Sequence, residues 1–205
     1  MNCDMQLLKR VIFDNAPPLL MDLLGLFNRY IYCGMAYRCP ICLSDLKSFI
    51  PLPHEFTITL YMHGQRFTAF DFETLNVVNY LCPVCRCSDR DRLYALFIKK
   101  IPEKVQKDKT LLHFAPERAL SFYIRKNTKY FYKTADLYRK DVDDRVDITT
   151  MDNYETESVD CFFCSHVLEH VQEATLAIRE LYPDSQIIGM GDSHGPNNIG
   201  SCPNI

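Results

Sequence analysis

The sequence predicts an α/β fold in which a parallel sheet fills the C-terminal half and a small cysteine-rich β module precedes it. Two observations carry this expectation. From Thr110 onward, short apolar runs alternate with segments of helical period, the signature of βαβ units. Upstream, two Cys-Pro-x-Cys pairs bracket a stretch of alternating β-branched and aromatic residues.

Bulk properties bound the reading. The 205 residues suffice for one full domain plus a small accessory module. Hydrophobic residues at 47% and charged residues at 24% are ordinary globular usage, so most of the chain should fold. A net charge of -3 gives no electrostatic case for wrapping a nucleic-acid backbone, though it leaves room for a local basic patch. The opening MNCDMQLLKR lacks the charged-then-apolar pattern of a secretory signal, which predicts a cytoplasmic protein. Leu19 to Met35 is broken by Asp22, Asn28 and Arg29, so no membrane span is expected.

In chain order, the leucines from Leu19 to Leu26 with Phe27, Tyr30 and Ile31 recur at helical spacing, predicting an amphipathic helix within an N-terminal segment, residues 1–36. Residues 37–100 form the cysteine module and a following helix, DRDRLYALFIKKI. Between its cysteine pairs, residues 56–72 (FTITLYMHGQRFTAFDF) read as a β-hairpin turning at His63-Gly64-Gln65. PEKVQKDK is a charged linker. Residues 108–190 then read as TLLHFA (strand), ERALSFYIRK (helix), YFYKTA, RVDITT and SVDCFFCS (strands), EATLAIRELY (helix) and SQIIGM (strand). Residues 191–205, rich in Gly, Pro, Asn and Ser, should be a loose tail.

Cys39-Pro40-Ile41-Cys42 and Cys82-Pro83-Val84-Cys85 can each fold two thiolates around one tetrahedral ion, because a two-residue spacer makes a tight turn. Brought together by the hairpin, Cys39, Cys42, Cys82 and Cys85 form a zinc-ribbon-like site, structural because four protein ligands leave no position for water. Cys87 is a spare candidate. The other five cysteines read as apolar filling or free thiols.

In a Rossmann-like sheet, ligands sit at the carboxyl ends of the strands, so those ends are the residues to inspect. The first, from Leu111 through His113 to Ala115-Pro116-Glu117, lacks the Gly-x-Gly turn of dinucleotide sites. The second ends at Asp136, about 20 residues downstream, placed to accept from ribose hydroxyls. The third carries Asp147-Ile148, whose acid suits an adenine amino group. The fourth runs through Ser165-His166 to Glu169-His170-Val171. Taken singly, Asp136 and Asp147 equally suit loop capping, and His113 a buried core position.

In order, LHFAPE, TADL, DIT, VDxxxCSHVLEHV and AxxEL resemble the motif series of class I S-adenosylmethionine-dependent methyltransferases of the type-11-like group. The HFAPE variant, preceded by CPxC pairs and by the element from Cys85 to Leu93 with Arg90 and Arg92, is similar to bacterial methyltransferases associated with surface-polysaccharide synthesis. The likeness runs from about Cys39 to about Tyr182. It implies S-adenosylmethionine and structural zinc as cofactors, and a small-molecule or saccharide acceptor. Ala115, Pro116 and Glu117 would lie at the methionine and ribose side, Asp136 on the ribose, Asp147 and Ile148 beside adenine, and Ser165 and His166 near the sulfonium. His113 and Leu137 complete the implied cofactor set, and His166 is the candidate base, with Glu169 and His170 behind it.

The family pattern beyond Arg179-Glu180-Leu181 is shortened, and nothing strand-like follows Met190. The sheet is therefore expected to be incomplete, with about five strands and an exposed edge open to association. This keeps a second reading open, a non-catalytic zinc-binding interaction protein with a degenerate methyltransferase domain. A third takes His166, Glu169 and His170 as the HxxEH pattern of a zinc metalloprotease, which requires them on one helix.

Overall fold

The computed structural model describes residues 18–62, 68–155, 158–181 and 186–187. The chain divides into two compact units, Met1–Leu96 and Phe97–Ile205. Residues 63–67, with the expected hairpin turn, and the expected tail at 191–205 lie outside the described residues.

In the first unit, helix α1 (Pro18–Ile31) leads into an antiparallel pair, β1 (Cys33–Arg38) and β2 (Asp45–Leu46), whose connection carries the first CPxC. The hairpin expected over residues 56–72 does not form. Helix α2 (His54–Met62) and a 3-10 turn (Ala69–Asp71) occupy its described parts. The antiparallel contacts that such a strand needs are made instead by the residues ahead of α2. Ile50 bridges Leu81 through N–H···O bonds of 2.8 and 2.9 Å, and Leu52 donates to the Val77 carbonyl at 2.8 Å. A strand without a partner leaves its backbone unpaired, whereas a helix pairs its own. Segments 50–52 and 77–81, rather than a hairpin, thus bring the two cysteine pairs together. Helix α3 (Asp89–Lys100) opens with Ser88 and Asp91 exchanging backbone-to-side-chain hydrogen bonds of 2.7 and 3.1 Å, the reciprocal pattern of a capping box. Asp89 and Asp91 in its first turn and Lys99 and Lys100 in its last match the helix dipole.

The second unit holds a five-stranded parallel sheet in the order β5-β4-β3-β6-β7. A short helix α4 (Glu103–Gln106) precedes β3 (Thr110–Phe114), and α5 (Arg118–Asn127) connects β3 to β4 (Phe131–Asp136). The expected strand RVDITT shrinks to β5 (Asp144–Arg145), because Asp147 and Thr149 close a hydrogen-bonded turn immediately after it. β6 (Cys161–Cys164), a 3-10 turn (Leu168–His170), α6 (Ala174–Leu181) and β7 (Gln186–Ile187) follow.

β3 is the central strand and is buried from Leu111 to Phe114, as a parallel strand covered on both faces should be. Its side chains alternate between two environments. Leu112 and Phe114 join Ala135, Val146, Ile148, Phe162, Ala177 and Leu181 in one core. His113, one position off that register, shares its face with Thr134 and Phe163. The chain winds outward from β3 in both directions, so β3 and β6 flank a topological switch point, the place in an open α/β sheet where strand-end loops diverge.

Two outcomes follow. Leu112→Ala, at a position with no exposure, should cost about 2–5 kcal/mol in urea unfolding, against a few tenths for Phe131→Ser at the exposed start of β4. Partial burial pushes the Asp143 carboxyl up, but the Thr134 hydroxyl, Arg125 and the Thr134 N–H outweigh it and hold it below the usual range. A depressed folded-state value gives stability that is present above the unfolded value of about 3.9 and lost as pH falls through the folded one. Between about pH 6 and pH 3 the urea midpoint should therefore fall further for wild type than for Asp143→Asn.

Candidate functional site

Two candidate sites emerge, one in each unit. The first is a thiol cluster built by two turns of the same design. In each, the leading cysteine's N–H donates to the carbonyl five residues on (Cys39 to Ser44, 3.0 Å; Cys82 to Cys87, 2.9 Å). Its carbonyl accepts from the N–H four residues on (Leu43 to Cys39, 2.9 Å; Arg86 to Cys82, 3.0 Å). Leu43 and Arg86 both take left-handed φ, 59° and 64°, a conformation uncommon for such side chains. Pro40 and Pro83 pre-set φ at the equivalent positions after each leading cysteine.

The turns meet thiol to thiol. Cys39 Sγ lies 3.8 Å from Cys85 Sγ and 3.6 Å from Cys87 Sγ, and Cys42 Sγ lies 3.8 Å from Cys82 Sγ. A tetrahedron built on Zn–S bonds of about 2.3 Å has S···S edges of about 3.8 Å, so the spacing fits a closed four-thiolate zinc site. The sulfurs of Cys39, Cys82, Cys85 and Cys87 lie within 4.8 Å of one another. The set with mutual ligand spacing thus holds Cys39, Cys82 and Cys85 of the four cysteines expected, with Cys87 in the place expected for Cys42, whose Sγ still touches the cluster through Cys82. The signal for Cys87 was present in the sequence as the break in the repeat, since the second turn carries Cys87 where the first carries Ser44. Half-buried Cys42 bonds the Ser44 hydroxyl at 3.3 Å.

Crowding splits the thiol titrations. Hydrogen bonding from Cys42 holds Cys39 down at about 4, and hydrogen bonding from Cys39 holds Cys82 down at about 3. Cys85 and Cys87 are pushed up, first by their hydrogen bonds to Cys39. A divalent cation would replace this sharing of protons with thiolates and so release protons on binding.

Helix α1 is tied to both turns. Asn28 Nδ2 donates to the Pro83 carbonyl at 2.9 Å and Arg29 Nε to Ser44 Oγ at 3.2 Å. A Cβ on Gly25 would meet the Val84 carbonyl oxygen at 3.0 Å, so glycine allows this close approach. Arg92, buried, donates to the carbonyls of Tyr80, Asn79 and Cys87 and stacks 4.0 Å from the Phe49 ring centroid. This arginine of the Cys85-to-Leu93 element is thus a strut for the second cysteine turn.

The second site is the row of strand ends in the parallel sheet. Register places Ala115 after β3, Asp136 at the end of β4, Asp147 two residues beyond β5, and Ser165 and His166 after β6, all along one rim. Ala115 and His166, at the ends of the two strands flanking the switch point, have φ of 48° and 54°. Non-glycine residues in this region carry strain that clusters at ligand sites. Ala115 thereby adopts, without glycine, the backbone conformation that a glycine would make easy.

Asp136 and Asp147 share one arrangement. Asp136 Oδ1 accepts the N–H groups of Tyr138 and Arg139 at 2.8 and 2.9 Å, and Asp147 Oδ1 accepts the N–H and hydroxyl of Thr149 at 2.9 and 2.6 Å. The Thr149 hydroxyl and N–H hold the Asp147 carboxyl below the usual carboxylate range. Each acid caps its own loop with one oxygen, and among the described residues Oδ2 of each carries no hydrogen bond. Arg139 links two of the loops, donating to the Pro116 carbonyl at 2.6 Å and bidentately to Asp141.

His166 Nδ1 lies 2.5 Å from Glu169 Oε1, both half-exposed. Burial pushes Glu169 up, but the hydrogen bond to His166 outweighs it and holds the carboxyl down. Leu168–His170 is a 3-10 turn and His166 precedes it, so the HxxEH residues do not share an α-helix. Among the described residues the cysteine cluster is the set with metal-ligand spacing.

Two expected ligand contacts are corrected. His113 has no exposure and both its ring nitrogens are engaged, so it cannot touch a cofactor. Ile148, 6% exposed, packs into the core and offers little side-chain surface beside a bound ring. Leu137 is exposed, and Pro116 is buried. Among the described residues no helix is long and apolar enough to cross a membrane.

Comparison with family models, curated proteins and solved structures gives no match.

The cysteine geometry sets an expectation. Purified protein should carry about one zinc per chain by elemental analysis, and Cys39→Ser or Cys82→Ser should lose it. Cys87→Ser should lower metal retention more than Cys42→Ser; the reverse order would return the site to the four CPxC cysteines alone.

Proposed function

We propose that the chain is a Rossmann-like, zinc-stapled methyltransferase that binds S-adenosylmethionine along the strand-end rim and methylates a small-molecule or saccharide acceptor. The observation that carries this reading is the pair of carboxylates at the end of β4 and just beyond β5, each pinned by one oxygen, on the same rim as the strained ends of β3 and β6. The strand order supports it, being that of a doubly wound nucleotide-binding sheet.

Charge chooses the ligand class. Glu117, Asp136, Asp141, Asp147 and Glu169 lie at the strand ends and their loops with Arg139, Lys140 and Arg145, an acidic excess, and Arg139 is already engaged by Asp141. A pyrophosphate would meet like charge there and lacks the Gly-x-Gly turn that cradles it. A ligand offering hydroxyls, an amine and a positive sulfur meets acceptors instead. S-adenosylmethionine supplies an electrophilic methyl group when bound. Asp136 accepts from the ribose hydroxyls, Asp147 from the adenine amine, and the Ala115–Glu117 turn and Ser165 line the methionine side. His166, its Nδ1–H held by Glu169, keeps Nε2 as a lone pair able to take a proton from a hydroxyl or amine acceptor. Positioning does most of the remaining work, because the electrophile arrives activated.

One observation favours a second reading, a zinc-stabilised interaction module. Leu23, Leu26, Phe27 and Tyr30 of α1 are 56, 64, 61 and 86% exposed, a large apolar row for one helix.

Calorimetric titration separates the two. Wild type should bind S-adenosylmethionine, and Asp136→Ala should weaken it about ten- to hundredfold, the worth of a hydrogen bond to a charged group. Absence of binding by a folded, zinc-loaded wild type would leave the interaction module.

A further inference from the structure

His113 is the most deeply buried ionisable side chain in the strand-end region, and the proposed chemistry has no direct use for it. It lies next to last in the central strand with no exposure, and its ring meets that of Phe163 in a T-shaped pair at 4.7 Å between centroids. A polar ring in such a place is costly unless both nitrogens are paired. Here they are: Nδ1 lies 2.7 Å from the Tyr132 hydroxyl, itself 3.0 Å from Ser121 Oγ, and Nε2 lies 3.1 Å from Glu117 Oε2. Burial pushes the Tyr132 phenol far above its ordinary value, so it stays a hydroxyl. A carboxylate only accepts, so whichever way the hydroxyl protons turn, Nε2 donates to Glu117.

Glu117 is the N-cap residue of α5, two positions beyond the strained Ala115 at the switch point. Its side chain is one-third exposed, and among the described residues Oε1 carries no hydrogen bond. One oxygen is therefore anchored from inside the sheet and the other is left at the rim, the same division that loop N–H groups impose on Asp136 and Asp147.

We infer that His113 is a positioning residue: braced by Tyr132 and Ser121, it holds Glu117 as a third pinned carboxylate whose remaining oxygen takes a hydroxyl or ammonium donor of the ligand. This rests on the strand-end rim being the S-adenosylmethionine site. An ordinary packing role for His113 would support the fold without passing through Glu117, and a double-mutant cycle distinguishes the two.

The experiment is calorimetric titration of S-adenosylmethionine into the full-length, zinc-loaded chain, with circular dichroism reporting the fold of each variant. Glu117→Ala and His113→Phe should each weaken binding about tenfold, and the double variant should be no weaker than Glu117→Ala alone. His113→Gln, whose amide can still donate to the carboxylate, should recover most of the loss. If His113→Phe does not fold, Tyr132→Phe replaces it in the cycle, with a loss of a few fold that vanishes in the Glu117→Ala background. Losses that multiply to about a hundredfold, a His113→Phe chain that binds as wild type does, or a His113→Gln chain no better than His113→Phe would overturn the relay while leaving the cofactor site standing. A wild type that does not bind would overturn the site itself, and the relay with it.

Discussion

The parallel pairing of β3 with β4 on one side and β6 on the other is the constraint on which the C-terminal half depends. A strand paired on both edges and covered on both faces must bury whatever it carries, and β3 carries four buried residues in succession. Because the chain leaves this strand to build first one side of the sheet and then the other, the loops after β3 and β6 part company. That divergence follows from connectivity and needs no special residue. What the sequence adds is the lining, with acids where phosphate-binding sheets carry glycine.

The cysteine-rich unit answers a different problem. Among its described residues, unit 1 has a two-strand sheet, one isolated bridge and helices with several large apolar side chains exposed. Left-handed Leu43 and Arg86 add strain. Four metal–thiolate bonds would join the two turns where Asn28 and Arg29 tie α1 to both and Arg92 ties α3 to the second.

Much of this was legible in the sequence because it follows from local pattern. Strands β3, β4 and β6 lie where short apolar runs lie, α1, α5 and α6 where apolar residues recur every three to four positions, and the CPxC spacing alone brought out four of the five clustered cysteines. Residues 56–72 misled because alternation signals a strand only when a partner edge is available, and the neighbouring edges were taken by Ile50–Leu81 and Leu52–Val77. Cys87 was legible as a departure from the Ser44 repeat but carried no spacing rule of its own. His113 was ambiguous in principle: motif order put it with ligand contacts and strand position put it inside, and only the side-chain pairing decides between them.

The division of labour within each carboxylate is what makes the rim more than a row of acids. A free surface aspartate samples many rotamers and would lose that freedom on binding, at a cost comparable with the hydrogen bond gained. Asp136 and Asp147 have already lost it to their own loops, and Glu117 has lost it to a histidine. Each would therefore meet a donor with its orientation settled, and this fixed geometry, rather than the number of charges, is what the proposed recognition of an adenosyl group would draw on in a rim without a glycine-rich turn.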